Sequence, residues 1–260
     1  MSRTVIISDS HGGHRSGLVP PGSFRYSEED DNPTLRKFAT LQRIMWDWYA
    51  AKLQELQPID TLIHNSECID GKAERQGGTE LVTTDRKMQC EIAAQVIREA
   101  KAKRIYITRG TRYHSGREED WDEVVGALVN ADHVGAHIFL ESEGVVLDVR
   151  HKVPGSVIPH GRFTGLARQK LWNYLWAERE MQPKANIIIR SHVHYHVYCG
   201  TADWLAMTTP SLQAFTKFGS EECEGTNDVG LTCIDTHAGG FEWKTYMLDM
   251  RWAKAELLPA

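Results

Sequence analysis

The chain has 260 residues, of which 41% are hydrophobic and 25% are charged, and its formal net charge is −5. This composition is typical of a folded globular protein and excludes a disordered chain, and the length favours a single domain over residues 1–260. The negative charge argues against a protein that coats nucleic acid through a basic surface, but it leaves a nucleotide or a nucleic-acid end as a possible substrate, because bound metal would add local positive charge.

Short segments rich in Val, Ile and Thr are predicted strands. In chain order they are Thr4–Ser8, Thr61–His64, Arg104–Thr108, His137–Leu140, Val145–Val149, Asn186–Arg190, Trp204–Thr208, Gly230–Asp235 and Glu242–Leu248. Predicted helices lie among them: one capped by Thr34 and running to about Gln57, one capped by Thr84, and shorter ones at Glu118–Val129 and Phe163–Met181.

The order of these elements predicts the fold class. Strands and helices alternate in the first half, which implies right-handed crossovers and a parallel core. The second half has closer strands and fewer helices, which favours mixed or antiparallel pairing. We therefore predict an α/β protein with two mixed β-sheets packed face to face and helices outside. The segments His11–Pro33 and Gly71–Thr84 are predicted loops, and loops this long are commonly functional.

Side chains that can bind metal follow the first and the sixth predicted strands. Asp9 and His11 come directly after the first, and His192 and His194 come directly after the sixth. Each pair can turn into one site where the chain leaves the sheet, and imidazole with carboxylate suits a transition metal. The plainer interpretation is a turn carboxylate with surface histidines. His196 lies further out, so we do not expect it to be a ligand.

Further candidates follow the second, third and fifth predicted strands. Glu67 has two oxygens with which to bridge two metal ions, and Asp70 can hold a histidine ligand in one tautomer. After the third strand, Arg112 and His114 suit phosphate binding and proton donation. Each of these clusters has a plainer interpretation as a glycine turn with polar groups. His151 stands by itself after the fifth strand, which is more typical of a surface residue.

Taken together, these segments resemble the calcineurin-like metallophosphoesterase family. The family signature runs D-x-H, G-D-x-x-D, G-N-H-D/E, an isolated H and G-H-x-H, and residues 9 to 194 follow that order. The runs IDGKAERQGGTEL and RGTRYH look closest to its phage- and prophage-type branch. The resemblance implies a metal-dependent phosphoesterase, with a phosphodiester as the expected substrate, that uses a metal-activated hydroxide at a dinuclear centre.

The resemblance also implies a role for each matching residue. Two divalent ions would share six ligands: Asp9, His11 and His194 for one ion, His151 and His192 for the other, and Glu67 for both. Asp70 matches the supporting aspartate, and His114 matches the catalytic histidine. We expect Arg112 to neutralise charge on the phosphate. The mixture of N and O ligands suits Mn²⁺, Fe, Zn²⁺ or Ni²⁺ better than Ca²⁺.

Several positions depart from the family signature. Glu67 replaces an aspartate, Thr111 replaces an asparagine ligand, and Ser191 replaces a glycine. Because a hydroxyl is a poorer ligand than an amide oxygen, we expect the second metal to be held more weakly or through water. His114 lies four residues after Gly110 rather than two, so its match is the least secure of these assignments.

These departures motivate a second interpretation, a degenerate member that binds metal or nucleic acid without turnover. A third, a nuclease subunit that acts on DNA ends with a partner, lacks support from a coiled coil or a basic tail. The motifs H-E-x-x-H, G-x-x-x-x-G-K-[ST] and G-x-S-x-G are absent. The expected substrate is a phosphoester small molecule or a nucleotide-like molecule. Loop cations that could contact it, or that are simply solvated, are Arg15, Arg25, Lys72, Arg75 and Arg112.

Compartment signals predict a cytoplasmic protein. The five cysteines are scattered without CxxC spacing, which is typical of reduced thiols. The amino terminus leads almost directly into a predicted strand, so we expect no signal peptide. No stretch approaches the roughly 18 apolar residues of a membrane span, so we expect no membrane partner.

Overall fold

The computed structural model describes residues 1–116, 119–217, 219 and 225–250. The strands are β1 (Ser2–Ile7), β2 (Thr61–His64), β3 (Arg104–Thr108), β4 (His133–Gly135), β5 (Ile138–Ser142), β6 (Val145–Lys152), β7 (Ile187–Ser191), β8 (Tyr198–Gly200), β9 (Leu205–Thr208), β10 (Gly230–His237) and β11 (Gly240–Met247). The helices are α1 (Pro33–Glu55), α2 (Arg86–Glu99), α3 (Arg112–Ser115), α4 (Trp121–Val129) and α5 (Gly161–Ala177).

The strands form two mixed sheets, ordered β11-β10-β1-β2-β3-β4 and β5-β6-β7-β9-β8. In the first sheet β1 to β4 run parallel, and β10 joins β1 in the antiparallel direction. In the second sheet β6, β7 and β9 run parallel, with β5 and β8 antiparallel at its edges. This arrangement confirms the predicted α/β class with two mixed sheets.

Successive side chains of a strand point to opposite faces, and this alternation builds the layers. Ile6 and Ile63 of the first sheet pack with Leu147 and Ile189 of the second in one apolar cluster. The two sheets therefore lie face to face. Full burial of an aliphatic side chain of this kind stabilises the fold by about 1.5–3 kcal/mol.

Helices cover the outer faces of both sheets. On the first sheet, Val5 packs in a cluster with Tyr49 of α1 and Ile97 of α2. On the second, Ile188 packs with Leu166 of α5. None of the described helices combines the length and the apolar character that a bilayer crossing needs.

The ends of the helices differ from the sequence prediction. Asn32 caps α1, because its side chain accepts a hydrogen bond from the backbone N–H of Thr34 at 2.9 Å. Asp85, not Thr84, caps α2. The predicted third helix begins at Trp121, and its predicted first residue, Glu118, lies outside the described residues. The strands β4 and β8 were not predicted, since three residues are too few to show a pattern.

Candidate metal centre

The candidate ligands lie where five strands end. Asp9 and His11 follow β1, Glu67 follows β2, and the short helix α3 with His114 follows β3. His151 lies at the end of β6. The pair His192 and His194 follows β7. In open α/β sheets, ligands bind beyond the carboxyl ends of the parallel strands.

The backbone of this region adopts left-handed conformations that residues other than glycine rarely adopt. Five of the six predicted ligands have positive φ: Asp9 (49°), His11 (44°), Glu67 (53°), His192 (78°) and His194 (54°). Such conformations cost on the order of 1 kcal/mol each and cluster at active sites and ligand clamps. Here each bend turns the side chain from the strand direction into the site. Hydrogen bonds hold the bends, for example from the N–H of Asp9 to the carbonyl of Ser66 at 2.9 Å.

The first donor group consists of Asp9, His11 and His194. One potential ligand atom from each lies within 4.8 Å of the other two. The Nε2 of His194 is 3.2 Å from Oδ1 of Asp9. Asp9 and His11 are buried, whereas His194 is half-buried and lines a cleft. An ion bound here would therefore be reached from the cleft.

The second donor group consists of Glu67, His151 and His192, whose potential ligand atoms also lie within 4.8 Å of one another. The Nε2 of His151 is 3.3 Å from Oε1 of Glu67. The rings of His151 and His192 meet nearly at right angles, with centroids 5.2 Å apart. The sequence assigned the same three residues to the second ion.

Glu67 faces both donor groups. Its Oε2 lies 3.9 Å from Nε2 of His11, and its Oε1 lies 3.3 Å from Nε2 of His151. The carboxylate is held from a third side, because the backbone N–H and the hydroxyl of Thr111 both donate to Oε1, at 2.8 and 2.7 Å. One oxygen towards each group is the arrangement that a bridging carboxylate needs.

Hydrogen bonds orient the histidine rings. Nδ1–H of His151 donates to the carbonyl of Asn65 at 2.8 Å, and Nδ1–H of His114 donates to the carbonyl of Asp70 at 2.7 Å. The Nδ1 of His11 is 2.9 Å from the Asp70 carboxylate. Because a carbonyl cannot donate, the proton of the neutral ring is on Nδ1, and Nε2 keeps a free lone pair. Outer partners of this kind fix the tautomer of metal-ligating histidines.

The carboxyl groups of the site are ionised. Burial alone would raise the pKa of Asp9, but His194 and His151 outweigh it and hold the pKa below its ordinary value. Glu67 behaves in the same way, since His114 and His151 overcome the effect of burial and hold its pKa well below the usual range. The buried carboxylates therefore stabilise positive charge in the site, either as protons on the histidine rings or as metal ions.

The same electrostatic attraction between carboxylates and histidines shifts the pKa values of the histidines. Burial would lower the pKa of His151, but Asp9 and Glu67 raise it to about 9. Burial likewise opposes the charge on His114, and Glu67 with Asp70 raises its pKa to about 9. For His11, burial prevails and lowers the pKa, which favours the neutral ring that ligates a metal.

The residues fit divalent transition-metal ions. Buried atoms without a hydrogen-bond partner among the described residues include Oδ1 of Asp9, Nε2 of His11 and Nε2 of His151. Buried polar atoms are ordinarily satisfied, and these three point into the two donor groups. Carboxylate oxygen and imidazole nitrogen together suit Mn²⁺, Fe, Zn²⁺ or Ni²⁺.

A cleft of about 1360 Å³ opens above the site and is lined by residues of both donor groups and by His114. Arg112 is exposed and does not line it, because α3 turns Tyr113 and His114 towards the cleft instead. The prediction that Arg112 contacts the phosphate is therefore not supported by its position. Among the described residues, the cations that line the cleft are Arg75, Lys152 and Arg162.

The other loop cations are engaged elsewhere or exposed. Arg15 pairs with Glu80 at 2.6 Å, and Arg25 donates to the carbonyl of Val82. Lys72 is exposed and does not line the cleft. His196 donates Nδ1–H to a backbone carbonyl at 2.6 Å and belongs to neither donor group, as expected from the sequence.

The sequence did not reveal the supporting residues. Asn65 donates to Ser191 at 2.6 Å and accepts from Thr108 at 2.7 Å, so it ties the ends of β2, β3 and β7 together. An asparagine directly after a buried strand was the available signal, and it was not distinguished from an ordinary turn residue. The hydrogen bonds from Thr111 to Glu67 had no signal in the sequence at all.

Comparisons with known proteins give no sequence match. No family model matches the chain, and no curated protein matches it. Among solved structures, a Vps29 single mutant from Entamoeba histolytica has a TM-score of 0.47 at 10% identity, covering 95% of this chain and 99% of that one. A novel archaeal phosphodiesterase has a TM-score of 0.47 at 14% identity, with the same coverage.

A third structure is wild-type Vps29 from Entamoeba histolytica complexed with Zn²⁺, with a TM-score of 0.45 at 12% identity over 94% of this chain and 98% of that one. At such scores and identities the likeness carries no argument about chemistry. The case for function therefore rests on the side chains of the site.

Proposed function

We propose that the chain is a metal-dependent phosphoric ester hydrolase of the calcineurin-like metallophosphoesterase type, with a phosphodiester as its substrate. The observation that carries this proposal is the position of Glu67 between two complete donor groups, with one oxygen towards each. The order of these residues along the chain, which resembles the family signature, supports the same activity. The branch of the family, the metal and the cytoplasmic location stay predictions.

In the proposed enzyme, Asp9, His11 and His194 hold one divalent ion, His151 and His192 hold the second, and Glu67 is shared. Two such ions supply Lewis-acid charge to a phosphate and lower the pKa of a coordinated water. Two of the ligands are held in place by hydrogen bonds that their rings donate: His11 Nδ1–H to the Asp70 carboxylate and His151 Nδ1–H to the carbonyl of Asn65. These bonds leave Nε2 of His11 and of His151 available to an ion.

His114 is the proposed proton donor. Its Nε2 lies 3.0 Å from Oε2 of Glu67, its Nδ1 is fixed by the carbonyl of Asp70, and its ring lines the cleft. In the metal-free protein, Glu67 and Asp70 outweigh the opposing effect of burial and raise the pKa of His114 to about 9, so the ring starts protonated at neutral pH. The imidazolium can then give its Nε2 proton to the departing alkoxide of the ester.

The test is hydrolysis of bis(p-nitrophenyl) phosphate with Mn²⁺, together with metal analysis of the same samples. We expect Asp9→Ala and His192→Ala to abolish hydrolysis and to lower the bound metal, with circular dichroism unchanged. His133→Ala, which alters an exposed histidine on β4, serves as the matched control and keeps both. Full activity in Asp9→Ala or His192→Ala would reject this site.

A metal-binding module without turnover is the second candidate. It is favoured by the two hydrogen bonds from Thr111 to Oε1 of Glu67, which compete with a metal for that oxygen. Metal analysis separates the candidates. Two ions per chain with Mn²⁺-stimulated hydrolysis support the enzyme, and one ion without hydrolysis supports the binding module.

A further inference from the structure

The cleft is lined by cations that no carboxylate of the described residues neutralises. Arg75, Lys152 and Arg162 line it, and none of them is in an ion pair with a carboxylate in the described part of the chain. Some arginines outside the cleft do have such partners. For example, Arg86 pairs with Glu119 at 2.6 Å. An anion that enters the cleft would therefore meet three cations that no described carboxylate neutralises.

Two of these cations are held against tyrosine rings. The guanidinium carbon of Arg162 lies 4.1 Å from the ring centroid of Tyr195, and that of Arg75 lies 5.5 Å from the ring centroid of Tyr113. Stacking on an aromatic face limits the rotation of a guanidinium and leaves its in-plane N–H groups free to bind phosphate. Arg162 is restrained further by weak hydrogen bonds, at 3.4 Å, to a backbone carbonyl and to the hydroxyl of Thr226.

The two stacked arginines lie next to different residues of the candidate metal centre. Tyr113 contacts His114, with ring centroids 4.8 Å apart, so Arg75 belongs to the surroundings of His114. Tyr195 directly follows His194 in the chain, and Arg162 stacks on Tyr195. Both arginines line the same cleft as the metal-binding candidates.

The size and lining of the cleft fit an extended polyanion. Its volume of about 1360 Å³ exceeds the roughly 300–1,000 Å³ typical of a pocket for one small ligand. Among the described lining residues, the carboxylates are Glu67 and Asp70, which are buried at its floor. Phe215 also lines the cleft and is 40% exposed, which gives a base an aromatic face on which to stack.

We propose that this cleft binds a single-stranded oligonucleotide, with Arg75 and Arg162 contacting phosphates that neighbour the one at the metal centre. Lys152 adds positive charge, and Phe215 stacks a base. The assignment of the scissile position rests on the function proposed above, whereas binding of the strand does not. The net charge of −5 then confines binding to the cleft and prevents general coating of nucleic acid.

The first experiment measures binding without catalysis. Fluorescence anisotropy of a labelled oligothymidylate is followed in EDTA over a series of salt concentrations. We expect Arg75→Gln and Arg162→Gln each to weaken binding by roughly three- to tenfold and to reduce the slope of log affinity against log salt by about 0.7. Arg168→Gln, an exposed arginine on α5 outside the cleft, should change neither quantity.

The second experiment compares two substrates with Mn²⁺. We expect Arg75→Gln and Arg162→Gln to lower kcat/KM for the oligothymidylate several-fold more than for bis(p-nitrophenyl) phosphate, which has no flanking phosphate. Arg162→Lys keeps the charge but loses the planar stack, so it should keep the salt slope and recover part of the affinity. This variant also detects a folding defect, because a misfolded loop would not be rescued by lysine.

The outcomes separate this inference from the proposed function. A wild-type protein that binds the strand but hydrolyses neither substrate contradicts the function and leaves the subsites in place. The oligonucleotide assignment is overturned, and the function kept, if the wild-type protein hydrolyses the aryl ester but does not bind the strand. The same conclusion holds if both arginine variants keep the salt slope of the wild-type protein. Equal losses for both substrates also overturn the assignment.

Discussion

Asp70 should set the metal affinity of the first donor group, and Asp70→Asn tests this role. The substitution keeps the size of the side chain but removes the charge that the His11 ring contacts at 2.9 Å. Burial favours the neutral acid, yet His11 and the neighbouring histidines hold the pKa of Asp70 at about 2 instead of 3.8. That difference corresponds to an interaction of roughly 2 kcal/mol between the ionised carboxylate and its surroundings.

The expected loss follows from this magnitude. An amide still accepts a hydrogen bond from His11 Nδ1–H, so less than the full interaction disappears, and we expect metal affinity to fall by about 10- to 50-fold. This agrees with the 10- to 100-fold typical of substitutions at the outer partners of metal ligands. A titration of Mn²⁺ or Zn²⁺ against a competing chelator measures the affinity directly.

The control for this experiment is Asp203→Asn, which alters an exposed aspartate away from the cleft. Its affinity should equal that of the unmodified protein, and thermal melts should show both variants folded. Metal affinity of Asp70→Asn within twofold of the unmodified protein would refute the reasoning that Asp70 orients His11 for a metal ion.

Further predictions concern proton donation, metal uptake and stability. His114→Gln should lower kcat for bis(p-nitrophenyl) phosphate by about 100-fold or more with the metal content unchanged; a normal kcat would exclude it as the acid. The pKa of His151 is about 9 in the metal-free protein, so a metal ion must displace a proton to bind it. Metal affinity should therefore rise with pH up to about pH 9, and an affinity that does not change with pH would contradict this. Asp148→Asn should destabilise the fold by about 3–5 kcal/mol, measured by urea unfolding, because it leaves Arg190, 2.8 Å away, buried without its partner. Burial would raise the pKa of Asp148, but His137 and Arg190 outweigh it and hold the pKa below its ordinary value of 3.8. The stability that the ionised Asp148 contributes is therefore present above about pH 3.8 and is lost as the pH falls through the pKa of the folded protein. If Asp148→Asn lost stability in acid as steeply as the unmodified protein, this reasoning would be contradicted.

The layers of the fold could be predicted because they depend on periodicity. Val5 and Ile6 are both buried but point to opposite faces of the sheet and join different apolar clusters, as the pleat of a strand requires, and runs of Val and Ile reveal such strands in the sequence. The caps were missed by one or two residues, because Asn32 and Thr34 are both acceptable capping residues and tertiary structure selects between them. Very short elements such as α3 have no periodic signal to find.

The sequence predicted candidate ligands, but it did not predict how the backbone brings them together. The spacing of Asp9 with His11, and of His192 with His194, drew attention to both pairs. The side chains converge through left-handed backbone conformations at these four residues, and no glycine at these positions marks such conformations in the sequence. Arg112 was chosen from its place in the sequence, but the orientation of α3 decides that it stays outside the cleft.

The cations of the cleft were harder to find than the ligands. Arg162 was not considered, because its position beside Tyr195 depends on how the start of α5 meets the segment that follows β7. Lys152 follows the candidate ligand His151 directly, but the sequence could not tell on which side of the strand end it would emerge. Loop conformation, rather than residue type, therefore limits what the sequence can reveal about substrate binding.

Anomalous diffraction from crystals soaked in Mn²⁺ tests the central claim most directly. We expect two anomalous peaks, one among Asp9, His11 and His194 and one among His151 and His192, with the Glu67 carboxylate between them. Crystals of Glu67→Ala should lose at least one peak. Peaks that lie elsewhere on the surface, or none at saturating Mn²⁺, would contradict the assignment of a shared dinuclear centre.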